Sequence, residues 1–329
     1  MNTSTTSTLC KRRTFIQRLV QAGFAALSAG AVGLYFRDSK GPAAHQGQPQ
    51  VQLPDFRLAD KKPAVAVVHG DQRRQTLRRA LSALGGINTF IGHGDRVLLK
   101  VNAAFASPPM LNATSHPDLV SEMVAMCLQA GAASVTVSDN PINDPASCFA
   151  LTGIARAAKS AGARIVVPGE SDFRPTTVSG GRLIKNWPVL WRPFEGVTKV
   201  IGLAPVKDHH RSGASMTLKN WYGLLGGGRN VFHQDIHRII MELALMVKPT
   251  LVVLDGTDTM IANGPTGGSL ADLKATRTLI AGTDPVAVDT LGARLLDKGP
   301  GELPYLMMAQ AAGVGTVDLS AVKLYEDAL

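Results

Sequence analysis

RVLLKVNAAFASPPMLNATSHPDLVSEMVAMCLQAGAASVTVS, residues 96–138, sets an amphipathic run, PDLVSEMVAMCLQAG (117–131), between two short aliphatic runs, RVLLKV (96–101) and SVTVS (134–138). Strand, helix, strand is the unit of a parallel sheet, because parallel neighbours need a crossover long enough to hold a helix. The same rhythm continues on both sides. AVAVV (64–68) precedes QTLRRALSAL (75–84), and FALTGIARAAKSAG (149–162) precedes RIVV (164–167). Further on come TKVIGLA (198–204), IHRIIMELALMV (236–247), TLVVLD (250–255), TRTLIAG (276–282), PVAVDTLGARLL (285–296) and VKLY (322–325). The pattern predicts an α/β fold, a mainly parallel sheet covered by helices on both faces. Proline breaks in residues 170–196 interrupt it and read as an insertion or a short antiparallel piece. One unit, or two lobes around a cleft there, both satisfy the pattern.

With 45% apolar and 5% aromatic residues in 329, the chain has enough aliphatic surface for one large core or two modest ones. Its net charge of +9 is unevenly spread. Residues 1–62 carry nine Lys/Arg against three Asp, so the remainder is nearly balanced and a nucleic-acid partner is not expected. KRRTFIQ (11–17) followed by LVQAGFAALSAGAVGLYF (19–36) resembles a twin-arginine export signal. A signal anchor is the other reading, since 18 residues is near the lower limit of a span. Residues 1–36 are thus expected to be a signal or anchor, 37–62 a polar linker, and 63–329 the α/β domain. The expected location is the periplasm or the outer face of the bacterial inner membrane, with the twin-arginine translocation machinery as a partner. Whether the signal is cleaved stays open.

That export route carries folded proteins, which makes a bound cofactor admissible without identifying one. Cys10 lies in the signal, while Cys127 and Cys148 sit in apolar helical patterns. Two mature cysteines cannot hold a four-cysteine iron–sulfur cluster, so none is expected on this chain alone.

Most strand candidates stop at a polar residue: RVLLKV carries Lys100 and ends at Asn102, SVTVS at Asp139, VIGLAPV at Lys207-Asp208-His209, TLVVL at Asp255, TLIAGT at Asp284. In an open parallel sheet ligands lie beyond the carboxyl ends of the strands, so these tips are expected to converge on one edge. The stretch KDHHRSGASMTLKNWYGLLGGGRNVFHQDIH (207–237) adds four of the chain's eight histidines together with Lys219, Asn220 and Arg229. Plainer roles stand beside each. Asp284 before Pro285 is a good helix N-cap, Asp139 a turn former, and Lys100 could snorkel from a strand end. His233 and His237, at i and i+4, suit two metal ligands on one helix face, but without the glutamate of HExxH. NGPTGG (263–268), with Gly264 and Gly267, can present backbone N–H groups to an anion or simply turn the chain.

Taken in order, LLKVN (98–102), His116-Pro117, APVKDHH (204–210), TLKNWYG (217–223), Arg229 with His233, LVVLDG (251–256), NGPTGG and GTDPVAVD (282–289) resemble the domain of unknown function 362 family over about residues 63–325. The family has no generally assigned reaction. Its motif positions here are Lys100, Asn102, His116, Lys207, His209, Lys219, Asn220, His233, Asp255 and Asp284. Many relatives join this module to ferredoxin-type cysteine motifs, which implies redox metabolism or its maturation and a redox partner protein. The present chain departs from them in lacking CxxCxxC runs.

Two functional readings follow. In the first, the protein is an enzyme on an anionic small molecule, with Lys100, Lys207, His209 and Lys219 catalytic and Asn102, His116, Asn220, Arg229, Gly264 and Gly267 binding the ligand. A divalent metal could then sit on Asp139, His233, Asp255 and Asp284. A lysine crowded by cations loses proton affinity and can act near neutral pH, which is a reason for such crowding. In the second, the same groups hold a ligand or mature a redox cofactor without turnover.

Overall fold

Eleven strands and nine α-helices form among residues 8–35, 50–59 and 62–329, the residues that the computed structural model describes. The strands are β1 (Ala64–His69), β2 (Arg96–Lys100), β3 (Ser134–Ser138), β4 (Arg164–Val166), β5 (Phe173–Thr176), β6 (Trp187–Leu190), β7 (Lys199–His209), β8 (Gly213–Ser215), β9 (Leu251–Met260), β10 (Leu273–Gly282) and β11 (Lys323–Ala328). The helices are α1 (Thr8–Tyr35), α2 (Arg73–Ala83), α3 (Pro117–Gln129), α4 (Pro145–Leu151), α5 (Ile154–Ser160), α6 (Thr217–Asn220), α7 (Ile236–Met246), α8 (Pro285–Arg294) and α9 (Pro304–Ala311).

The chain divides into two units, residues 1–42 and 43–329. In the first, Thr14–Val32 of α1 is long and apolar enough to cross a membrane, with mean hydropathy 1.2, a test that signal sequences also pass. The side chains of Lys11, Arg12 and Arg13 lie outside the described residues, as do 36–49 and 60–61, which hold much of the expected linker. Residues 50–59 belong to the second unit and pack within it. Phe56 is buried against Phe194, and its carbonyl accepts a hydrogen bond from the Thr250 hydroxyl.

In the second unit nine strands form one sheet in the order β11-β1-β10-β9-β7-β2-β3-β4, with β8 turned back on β7. Apart from β8, every strand runs in one direction except β10, which is antiparallel to both β1 and β9. Period-two alternation divides the core between the faces. Leu251 and Val253 of β9 join the cluster under α2, α3 and α5, whereas Val252 and Leu254 join the one under α6, α7, α8 and α9. Both faces are therefore apolar, and the strands read as continuous aliphatic runs. The segment from 170 to 196 is an antiparallel pair, β5 with β6, and residues 43–329 remain a single unit rather than two lobes. Cys127 and Cys148 are free and buried, and burial pushes the Cys127 thiol up to about 12.

The reversal of β10 moves one predicted site residue. Its carboxyl end meets the start of β9, pairing Gly282 with Val252, so Asp284 lies at the edge opposite Asp139 and Lys207. There it caps α8, accepting from Val286 N and Ala287 N at 2.9 Å and from Thr316 N at 3.0 Å. The capping role replaces the expected ligand role.

Candidate functional site

At the carboxyl edge, β2, β3 and β7 end around a pocket of about 90 Å³ lined by Lys100, Asn102, Asp139, Lys207, His209, Lys219, Asn220, Arg229 and His233. The crossover loop after β2 supplies Phe105, that after β3 supplies Asn140 and Ile142, and Tyr222, Gly223 and Pro265 complete the wall.

The floor is a buried ion pair. Lys100 Nζ lies 2.7 Å from Asp139 Oδ1 and donates to Asn220 Oδ1 (2.9 Å), Asn220 O (2.6 Å) and Val101 O (2.8 Å). Four oxygens surround three N–H bonds, so Lys100 is held as a structural cation and has no donor left for a ligand. Asp139 in turn accepts from Ala103 N at 2.7 Å and Asn140 N at 3.0 Å. Burial lowers the proton affinity of Lys100, against the opposing pull of Asp139.

Three other cations share the pocket, and among the described residues none of them has a carboxylate at ion-pair distance. Lys207 is 1% exposed; its Nζ donates to Ala113 O at 2.5 Å and stands 5.2 Å from the Phe105 ring centre. Burial, then the charges of Lys219 and Lys100, push it down to about 7. Lys219, over the Tyr222 ring, is pushed down to about 8 by burial, Arg229 and Lys100. Arg229 is tied to three carbonyls, those of Tyr222, Leu225 and Pro141, and contributes its charge from the wall.

The two imidazoles have opposite tautomers. His209 Nδ1 accepts from Arg211 N at 3.1 Å and Ser212 N at 3.3 Å, so its proton is on Nε2. Burial, then Lys219 and His210, hold His209 down to about 2, which keeps it neutral. His233 Nδ1 lies 3.2 Å from Asn230 O and 3.1 Å from Tyr222 Oη, whose own proton goes to Arg229 O. A carbonyl only accepts, so His233 carries its proton on Nδ1 and keeps a lone pair on Nε2. The two rings stack 6.3 Å apart at 13°. The pocket thus holds one neutral N–H donor and one unprotonated nitrogen, beside two lysines that titrate close to neutral pH.

The segment carrying Lys219 and Asn220 is fastened from behind. Asp289 of α8, fully buried, accepts from Thr217 N (2.9 Å), Thr217 Oγ1 (2.5 Å) and Leu218 N (3.0 Å). Trp221 packs against β7 at Gly202, where a Cβ would stand 2.9 Å from the indole. Asp289, Tyr222, Phe105 and Ile142 were not singled out from sequence, and Gly223 only as the start of the glycine-rich run GLLGGG (223–228). Asp289 stands in GTDPVAVD and Gly223 in TLKNWYG, but neither has a strand-tip position.

Asp255 and His116 do not join this pocket. Asp255 alternates with Leu254 onto the other face, where it pairs with Arg73 at 2.9 Å and accepts from Thr257 N. Arg73 also reaches Asp258 at 2.8 Å, and His116 caps α3 beside this group. Of the four expected metal ligands, only Asp139 and His233 therefore share a site. His233 does not pair with His237, which stacks on Tyr305 instead. No group of three or more His, Cys, Asp or Glu side chains placed to hold a metal occurs among the described residues. In NGPTGG only Pro265 reaches the pocket. A Cβ on Gly264 would overlap the Asp208 carbonyl, and Gly267 takes φ +59° with its N–H donated to Asn263 O, so both glycines serve the turn.

The model of the domain of unknown function (DUF362) matches residues 97–294, and the chain belongs to that family. It is similar to a thylakoid-associated protein of Synechocystis sp., 25% identical over 252 residues that span 73% of this chain and 74% of the relative. Two solved structures show weaker likeness at 13% identity. One is the lactate racemase apoprotein of Thermoanaerobacterium thermosaccharolyticum, with TM-score 0.35 and coverage of 63% of this chain. The present chain spans only about half (54%) of that racemase chain. The other is a Thermotoga maritima protein, with TM-score 0.36 over 74% of this chain and 60% of that one.

Proposed function

We propose that the protein is an exported enzyme that holds a small anionic substrate on Lys207, Lys219 and the Nε2–H of His209, and passes a proton through Nε2 of His233. One observation carries the reading: Lys207, Lys219 and Arg229 crowd a pocket whose one carboxylate, Asp139, is already committed to Lys100. Buried like charges repel, and a bound anion relieves that repulsion. Arg229 sets the field, Lys100 holds the floor, and Asn102 and Asn220 border the ligand.

The proposal has a sign in pH. An anion raises the proton affinity of Lys207 and Lys219 above about 7 and 8, so binding takes up protons. Affinity for sulfate, which stays ionised throughout, should be greatest below pH 7 and fall roughly tenfold or more between pH 7 and 9. The empty protein should behave oppositely. Both lysines titrate below their unfolded value of 10.5, so the unfolded chain binds more protons between about 7 and 10.5, and stability from these groups rises with pH there. Replacing Lys219 by alanine should weaken sulfate or acetate roughly ten- to a hundredfold, the worth of one charge-assisted contact, and leave the empty fold as stable or slightly more so. Thermal shifts of wild type and variant from pH 6 to 9 read both effects. A wild type that gains nothing from sulfate, phosphate or acetate removes the anion site.

Export rests on KRRTFIQ and on the apolar helix after it. The double change Arg12→Lys, Arg13→Lys keeps the charge and the apolar stretch, so under this reading it should strand the full-length protein in the cytoplasm. Unchanged export on cell fractionation would dismiss the twin-arginine route.

A further inference from the structure

We infer that the anion taken by this pocket carries an apolar chain or ring of several carbons, laid across Phe105, Ile142 and Pro265 with its acid group on the lysines below. The inference rests on the anion reading above. The floor and the mouth of the pocket differ in chemistry. Lys100, Asp139 and Lys207 are the deepest-buried charged groups of the lining, each at most 2% exposed, while its more exposed part includes the apolar Phe105, Ile142 and Pro265 beside Lys219, Asn230 and His233.

Ile142 is 59% exposed and lines the pocket together with Phe105 and Pro265, so its apolar surface lies beside the cations. It is held there, because its N–H donates to Ala104 O at 2.9 Å and so ties the turn after β3 to the loop bearing Phe105. The Phe105 ring in turn stands over Lys207. An acid of one or two carbons would satisfy the lysines and leave all this surface wet. An acid with a longer apolar part covers it, and the cations fix which end points inward.

The test is a homologous series on the whole chain: acetate, butyrate and hexanoate, with dissociation constants from calorimetry at pH 6.5. A fully buried methylene strengthens binding about fourfold, and one laid on a half-open rim about twofold, so hexanoate should bind roughly tenfold or more tighter than acetate. In Ile142→Ser, a surface change that leaves the core untouched, the hexanoate-to-acetate affinity ratio should fall severalfold. Equal affinity across the series in the wild type would overturn this inference and leave the anion site standing. If no member binds and sulfate does not either, the anion reading fails, and this inference with it. A sedimentation mass that rises with concentration in the wild type but not in Ile142→Ser would assign the mouth to self-association and likewise overturn it.

Discussion

Replacing Gly223 by alanine should destabilise the protein by about 3–5 kcal/mol and abolish anion binding. The Gly223 carbonyl accepts from Asn140 N at 3.0 Å, which brings its backbone against the turn that carries Asp139. A Cβ there would overlap Asp139 Oδ1 and stand 2.7 Å from Lys100 Nζ. Neither neighbour can yield. Asp139 is held by two backbone N–H groups and Lys100 by three backbone or amide oxygens besides. The added methyl therefore separates a buried ion pair, and an unpaired buried charge costs about 3–5 kcal/mol, more than the strain of a methyl group elsewhere in a core. Gly228→Ala is the matched control: nothing lies within 4 Å of its Cβ and its φ is −75°, so its effect should stay within about 0.5 kcal/mol. Denaturant midpoints of the two variants decide the matter. If Gly223→Ala unfolds no earlier than Gly228→Ala, the floor of the pocket is looser than its hydrogen bonds imply.

The sheet was legible because its evidence is local. RVLLKV, PDLVSEMVAMCLQAG and SVTVS carry their own periods, and the structure returns them as β2, α3 and β3. The direction of β10 was legible as well, though only by a different argument. Residues 256–275 contain no helical run, and a parallel return from β9 would need a crossover, whereas an antiparallel one needs only a turn. With β10 antiparallel, Asp284 falls on the edge opposite Asp139 and Lys207. The separation of Asp255 from Lys100 has a similar cause. Position at a strand tip says which edge a residue reaches, and parity along the strand says which face. Lys100 shares parity with Leu98 and Asp255 with Val253, and those two belong to different core clusters. His209 and His233 were found by composition, but their opposite tautomers depend on backbone groups two to three residues away in folded turns, which no residue pattern encodes.

Removal of the Glu242 carboxylate should cost about as much as damage to the pocket itself, although Glu242 lies on α7 and outside the pocket lining. Its side chain is fully buried and, among the described residues, accepts only from backbone: Arg182 N at 2.6 Å, Leu183 N at 2.9 and 3.0 Å, and Ile184 N at 2.8 Å. These three donors belong to the turn between β5 and β6, which has no other regular structure to bond them. In Glu242→Ala each loses its acceptor. An unsatisfied buried donor costs about 1–3 kcal/mol, and Arg182, being exposed, can turn to water, so the expected loss is about 3–5 kcal/mol. Glu242→Gln keeps one acceptor oxygen and sets an N–H₂ group against the remaining donors, so it should fall between wild type and alanine. The damage should also spread in one direction. Pro188 O of β6 accepts from Gly226 N, and Trp187 Nε1 donates to Gly226 O, so the turn, β6 and the glycine run before Arg229 are joined in series. Hydrogen exchange should therefore quicken at Leu183 and Ile184 first and at Gly226 next, while the amides of β2 and β3 keep their protection. If exchange quickens everywhere equally, α7 is a global support and not an anchor for that turn; if it changes nowhere, water replaces the carboxylate and the predicted loss of stability fails with it.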